Sequence, residues 1–412
     1  MSRVAYELAA ASARLHQVLL LRPGKRNALC LPSEGKPGLA EVSALGKEVI
    51  FLPDLRRHPC HQLQTWLTEY APELIHAQDF GPLPLLMQDW AVQNHVPYVL
   101  TLHCLPSRSR AFGSLEGTLL YNWITESRLY LDLVMRFIKR CDGVIALNQA
   151  ATDDLLRLGY NGLIYHVPNG RNLAEYDVLP LADTTQPVKQ LVFIGSFARR
   201  KNQQFIIDML VHLRTQVHLS FFGETLEPGY LQSLHEVVHE RGLEDIVQMG
   251  HIPYAEIPAH LAQAHVFVSA STLEVQSLAV IEALASGTPV VGLANETLDE
   301  LVDDTCGRRL SASSSPADLA RHVDVVLNLP AGEYLALCNG ARARVRHLDW
   351  SAVVQQMAVV YQDLVTRKQA EPTAAVPYRP MWTPLLVAGS RALWAWHRLL
   401  HPPRKTNGAN IA

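Results

Sequence analysis

The chemistry-bearing residues of this chain gather in one run, Ser269–Gly292, which reads SASTLEVQSLAVIEALASGTPVVG. Two carboxylates, Glu274 and Glu282, stand in it eight positions apart. A carboxylate accepts hydrogen bonds only, so it suits sugar hydroxyls, and a second one suits a bidentate grip on the two hydroxyls of a ribose. Between them, Gln276, Ser277 and Leu278 open a helical pattern, and the backbone N–H groups of a helix start are ready partners for phosphate oxygens. The bland alternative is a strand–loop–helix crossover with two solvated glutamates. The Gly287-Thr288-Pro289-Val290-Val291 continuation favours the chemical reading.

These residues need a strand, a loop and a helix to hold them. The apolar run Val266–Val268 predicts the strand, Ser269–Ser277 the polar loop and Leu278–Ser286 the helix. Gly287 then ends the helix, and Pro289–Gly292 opens another strand. The arrangement repeats along the chain. Strands are expected at Gln17–Leu21, Val49–Leu52, Leu74–Ala77, Tyr98–Leu102, Val144–Leu147 and Ile164–Val167. A second series follows at Leu191–Ile194, Val217–Phe222 and Ile246–Met249. Helical periods between them imply βαβ units, hence an α/β fold of two doubly wound parallel-sheet domains facing a cleft. The chain opens on a helical pattern, Val4–Leu15, where such a domain usually begins with a strand and a glycine turn. The first domain is therefore expected to lack its opening strand.

The run Glu274, Glu282, Ala283, Gly287, Pro289 and Val290 resembles the signature of glycosyltransferase family 4, retaining enzymes of the GT-B fold with two Rossmann-like domains. Glu274-Val275-Gln276-Ser277-Leu278 looks most like the branch that glucosylates diacylglycerols; Ser277 stands where the family usually has glycine. Leu191–Asn202, LVFIGSFARRKN, is similar to the opening of the family's second domain, with Gly195 and Lys201 matching and Ser196 in the place of an arginine. The resemblance implies metal-independent transfer of a hexose from a UDP- or GDP-sugar, with no further cofactor, to a lipid or glycan acceptor. Glu274 would hold the sugar and Glu282 the ribose. Lys201, with Arg199 or Arg200 near it, would stabilise the charge developing on the leaving diphosphate. Gly250 and His251 fall where the family places a loop beside the nucleotide base. His103, ending the strand Tyr98–Leu102, falls where family members carry a histidine that contacts sugar or acceptor; His76 and Asp79 are weaker versions of the same idea. Val167-Pro168-Asn169-Gly170 matches a turn that closes the first domain, although Arg171-Asn172 replace the usual Val-Asp.

The domain plan that follows is 1–172, a linker over 173–187, a nucleotide-sugar domain over 188–348, a crossover helix over 349–366 and a tail over 367–412. The linker is expected to be irregular, with Pro180, Asp183, Thr184, Thr185 and Pro187 breaking any period. Composition agrees with a chain of this kind. At 412 residues and 48% hydrophobic it can fill two cores. Lys plus Arg number 36 and Asp plus Glu 39, so the net charge of −3 argues against a general nucleic-acid binder. Six scattered cysteines without a CxxC fit reduced thiols and a cytoplasmic chain. No signal peptide or transmembrane run is evident.

His235-Glu236-Val237-Val238-His239 matches a zinc-hydrolase pattern. Among 18 histidines such a match arises by chance, and no zinc site is expected. In the tail, Leu385–Leu400 carries Trp394, Trp396, Arg391 and Arg398, a composition suited to a membrane interface or to docking on protein. The basic stretch Met135–Arg140 fits either a lipid-facing patch or a solvated helix face. Two other readings stand beside the lipid one: a transferase of cell-surface polysaccharide assembly, and a noncatalytic GT-B binding protein.

Overall fold

In a computed structural model, the structure describes residues 3–23, 27–42, 61–78, 80–108, 128–176 and 181–371. The expected strand Val49–Leu52, Asp79 and the Leu385–Leu400 helix lie outside these residues. The chain divides into two compact units. One comprises Met1–Leu100, Arg140–Gly143 and Tyr361–Ala412, the other Thr101–Lys139 and Val144–Val360.

The first described element is the helix Arg3–Ser12, and among the described residues no strand precedes it. It stops short of Leu15, which the sequence pattern included, and leaves Leu15 exposed. Three strands follow, β1 (Leu19–Pro23), β2 (Ala28–Cys30) and β3 (Gly38–Val42), in the order β1-β3-β2. β1 and β3 are parallel, with Leu19 opposite Gly38, and β2 is antiparallel to β3. The sequence reading missed β2 and β3. β2 has only three residues, and Gly38 and Glu41 break the apolar pattern of β3; Gly38 marks a close approach, since a Cβ there would lie 2.6 Å from the Cys30 carbonyl oxygen.

A four-stranded sheet follows, in the order β4 (Ile75–Ala77), β5 (Tyr98–Leu102), β6 (Gly143–Ala146), β7 (Ile164–His166). The basic stretch Met135–Arg140 closes the amphipathic helix Arg128–Ile138, whose Met135, Phe137 and Ile138 are buried.

The largest sheet has six strands: β8 (Lys189–Ile194), β9 (Val217–Phe222), β10 (Val247–Gly250), β11 (Val266–Ser269), β12 (Val290–Leu293) and β13 (Gly307–Leu310). Their order is β10-β9-β8-β11-β12-β13, and every pair is parallel. Numbered from β8, this is the 3-2-1-4-5-6 order of a dinucleotide-type domain. Strands buried on both faces read as continuous apolar runs, which is why β8, β11 and β12 were legible, while β9 alternates buried and exposed positions. Phe193, Phe221 and Phe267 on three neighbouring strands meet at ring distances of 6.0 Å. β13 was missed because Arg308 and Arg309 interrupt its apolar pattern on the sheet edge.

The linker is not loose throughout. Leu173–Glu175 forms a 3-10 turn, Tyr176 is fully buried, and Lys189 Nζ and His265 Nε2 bond the carbonyls of Thr184 and Asp183. The crossover helix runs from Trp350 to Ala370, longer than its apolar pattern suggested. Its last turns are held by an Arg367–Asp363 pair at 2.8 Å and by Lys368, which meets Asp142 at 2.8 Å.

Candidate active site

In an open parallel sheet, ligands sit beyond the carboxyl ends of the strands where the winding reverses. Here that point lies between β8 and β11. The segments leaving those two strands are Gly195–Lys201 and Ala270–Ser277, which the sequence analysis had marked independently.

After β8 the chain passes Gly195 and Ser196. A Cβ on Gly223 would lie 2.0 Å from the Gly195 carbonyl oxygen, so only glycine lets the two strand ends approach. The Ser196 carbonyl accepts from Gln203 Nε2 at 2.9 Å. Arg199–Lys201 then form a 3-10 turn, and Asn202 takes φ +54°, a left-handed conformation that asparagine tolerates. Lys201, the last residue of the turn, is buried. Its Nζ pairs with Glu274 Oε1, and Glu274 is buried too. Arg200 Nη1 lies 3.7 Å from the other carboxylate oxygen. Burial pulls the Lys201 ammonium below the usual lysine range, with Glu274 opposing the shift. Arg199 turns away, its Nε 3.8 Å from Glu227 and its guanidinium 5.6 Å from the Tyr230 ring centre.

The helix Leu278–Ser286 has the expected bounds. Gly287 ends it at φ +80°, where the chain turns toward β12. At the start, Ser277 is the N-cap residue, but its hydroxyl makes no cap bond. Its N–H donates to Thr297 Oγ1 at 2.8 Å, which corrects the expectation that this amide faces a ligand. Leu278, Ala279 and Val280 supply the first-turn amides that a helix leaves without intrahelical partners. Gln276 is 8% exposed; its Oε1 accepts from the Asn169 N–H at 2.7 Å, while its Nε2 is buried with no partner.

Other segments of the second unit clamp this loop. Asn148 caps the helix Gln149–Arg157 through Oδ1, 2.9 Å from the Ala151 N–H, and its Nδ2 donates to the Val275 carbonyl. Leu273 and Val275 pack with Leu105, Ala146, Leu147 and Ala151. Glu296 Oε2 accepts the Glu274 N–H at 3.1 Å, and its Oε1 accepts from Arg108 Nη1 at 3.1 Å. His103 lies two residues before Leu105, and burial lowers its pKa to about 4, so its imidazole is neutral near pH 7.

Glu282 is 3% exposed. Arg171 Nε lies 2.9 Å from its Oε1, and Tyr254 Oη donates to the same oxygen at 2.9 Å. Tyr176 Oη stands 2.8 Å from Tyr254 Oη. Tyr254 belongs to the segment after β10, which ends at Gly250 and is followed by the exposed His251. Asn148, Arg171, Tyr176, Tyr254, Glu296 and Thr297 were not anticipated as site residues. The one available signal was Arg171 standing after Pro-Asn-Gly where valine is usual.

In the first unit, His76 Nδ1 lies 2.7 Å from Tyr361 Oη and its Nε2 is 2.9 Å from Gln78 Nε2. His235 is exposed and His239 pairs with Glu244 at 2.7 Å. Among the described residues no group of three or more His, Cys, Asp or Glu could hold a metal ion, and no helix is long and apolar enough to cross a membrane.

Comparison with known proteins bears on the family and the fold. Residues 1–175 match the family model for Glycosyltransferase Family 4, and residues 188–328 match a model for glycosyl transferases group 1. Glycogen synthase of Mycobacterium tuberculosis is 26% identical over 322 residues, 75% of this chain and 72% of its own length. Alpha-monoglucosyldiacylglycerol synthase of Streptococcus pneumoniae is 25% identical over 252 residues, 57% of this chain and 55% of the relative. Among solved structures, sucrose-phosphate synthase of Thermosynechococcus elongatus superposes with a TM-score of 0.70 at 20% identity, covering 88% of this chain and 92% of that one. HepE of Anabaena, solved with UDP and glucose, gives 0.68 at 19% identity, covering 87% and 96%. The fold they share is GT-B.

Proposed function

The chain belongs to glycosyltransferase family 4, and from that premise we propose that it moves a hexose from a nucleoside diphosphate sugar to a hydroxyl acceptor, with retention at the anomeric carbon. The observation that carries the reading is the concentration of buried hydrogen-bond donors at the β8–β11 switch point. A buried lysine and an arginine converge on Glu274 beside the buried, unpartnered amide nitrogen of Gln276 and the open first turn of Leu278–Ser286. A diphosphate would accept from those donors, and a hexose would donate hydroxyls to Glu274.

In this reading Lys201 and the helix start stabilise the charge that develops on the diphosphate as the glycosidic bond breaks. Arg200 adds a second positive charge at the same place. Glu274 orients the sugar, Glu282 receives the ribose, and the leaving phosphate takes the acceptor proton on the face from which it departs. His103, neutral near pH 7, offers the sugar or acceptor a hydrogen-bond partner without a net charge. The acceptor we favour is a membrane lipid. The Glu274-Val275-Gln276 run and the two relatives named alpha-monoglucosyldiacylglycerol synthase support it.

The test is a donor screen with UDP-glucose, UDP-galactose and GDP-mannose, following nucleotide release by the purified protein. Diacylglycerol in mixed micelles and soluble glucans then serve as acceptors, with the anomeric configuration read by NMR. Release of UDP or GDP and an α-linked product are expected. No release and no binding of any of these donors would refute the activity. Transfer to glucan but not lipid would favour polysaccharide assembly.

A further inference from the structure

We propose that Arg171 is a positioning residue for nucleotide recognition, holding the Glu282 carboxylate ionised and in one orientation; this rests on the reading that Glu282 receives the donor ribose. The backbone at Arg171 has little freedom. Its N–H donates to the Leu348 carbonyl at 2.8 Å, and its own carbonyl accepts from the Trp350 N–H at 3.0 Å. A Cβ on the preceding Gly170 would lie 2.3 Å from the Trp350 ring, so the turn packs directly against that indole. From this fixed point the guanidinium reaches inward to Glu282 Oε1 at 2.9 Å, and each side chain is 4% exposed.

Tyr254 secures the same oxygen from another direction. Its hydroxyl donates to Oε1 at 2.9 Å and so is left to accept from Tyr176 Oη at 2.8 Å. The Arg171 guanidinium also lies 5.8 Å from the Tyr254 ring centre. Two segments distant in sequence, the turn after β7 and the turn after β10, therefore converge on one carboxylate oxygen of the helix Leu278–Ser286.

A purely structural purpose explains this poorly. Burying two opposite charges costs desolvation that an apolar pair of similar volume would avoid, often with a gain in stability. A buried carboxylate without a cation tends to protonate, and with a single partner it can rotate. A cation against that oxygen and a hydroxyl donating to it prevent both. The arrangement keeps a charged acceptor ready for ribose hydroxyls and places it relative to the segment that carries Tyr254.

The experiment measures Kd for UDP and UDP-glucose by calorimetry, and kcat at saturating donor, on wild type, R171K, R171M, Y254F, E282Q and R171M/E282Q. Removing the buried cation that pairs with Glu282 predicts a Kd raised about tenfold or more in R171M, and removing the tyrosine hydrogen bond to it about threefold in Y254F. kcat should change little. R171K keeps the cation and should recover most of the affinity. In the E282Q background, R171M should weaken binding no further, because its effect passes through that carboxylate. The proposal is overturned by UDP binding in R171M at wild-type affinity, by equal weakening in both backgrounds, or by a fall in kcat with Kd unchanged. Should R171M not fold, wild-type affinity in Y254F overturns it. A wild-type protein that binds no nucleotide would refute the proposed function itself, whereas wild-type binding with unaffected variants refutes this inference alone.

Discussion

Replacing Lys201 by methionine keeps most of the side-chain volume and removes the ammonium that pairs with Glu274. Two effects follow and can be separated. The first is stability: taking one partner from a buried ion pair costs ~3–5 kcal/mol. Arg200 Nη1 stays 3.7 Å from the other Glu274 oxygen, and burial already disfavours the ammonium, so the lower end applies. At about 2–4 °C per kcal/mol for a unit of this size, the melting midpoint should fall by roughly 6–12 °C. The second is chemical: losing one donor aimed at developing oxygen charge typically lowers kcat by ~10²–10³, or ~2.7–4 kcal/mol. The assay is the initial rate of nucleotide release at saturating donor, well below the variant's melting midpoint, with circular dichroism confirming the fold. A folded K201M protein with kcat within threefold of wild type would refute the role given to Lys201, whatever its stability.

Asn148→Ser should separate cap from clamp. Serine still caps the helix Gln149–Arg157 but cannot reach the Val275 carbonyl, so we expect a loss of ~1–2 kcal/mol in urea unfolding. Donor kcat/KM should fall as the Glu274 loop loosens; unchanged kcat/KM would show that the Asn148 bond does not position that loop. His103 gives a pH test. Its folded pKa, about 4, lies below the ordinary 6.5 because of burial, so the unfolded chain binds the proton more readily. Its contribution is therefore fully present above pH 6.5 and is lost as pH falls toward 4, at up to ~1.4 kcal/mol per unit. Urea midpoints at pH 7, 6 and 5 should show a shallower slope in His103→Gln; an identical slope would contradict the burial of the imidazole.

Legibility followed burial. β8, β11 and β12 are near-continuous apolar strands and β9 alternates apolar with polar residues, and the sequence located each within about two residues. β2, β3 and β13 escaped. β2 has three residues and none is buried, β3 is interrupted by Gly38 and Glu41, and β13 carries two consecutive arginines at a sheet edge. The crossover helix outran its pattern because its last turns rest on charged pairs, which hydrophobic periodicity does not register.

The sequence by itself determined the local chemistry: a strand, a polar loop with Glu274 and Gln276, a helix with Glu282, and a basic turn at Lys201. Such features depend on residues within one or two turns of each other. Which cation meets which carboxylate was a tertiary decision. Lys201 reaches Glu274 because the 3-2-1-4-5-6 winding sets β8 beside β11, although the two residues are 73 positions apart. Arg171 reaches Glu282 across a still longer separation, from a turn held by Leu348 and Trp350. Thr297, arriving after β12, takes the Ser277 amide that local structure alone would have offered to a ligand. Electrostatic and hydrogen-bond partners are chosen by distances of a few ångströms, and those distances exist only after the sheet is assembled.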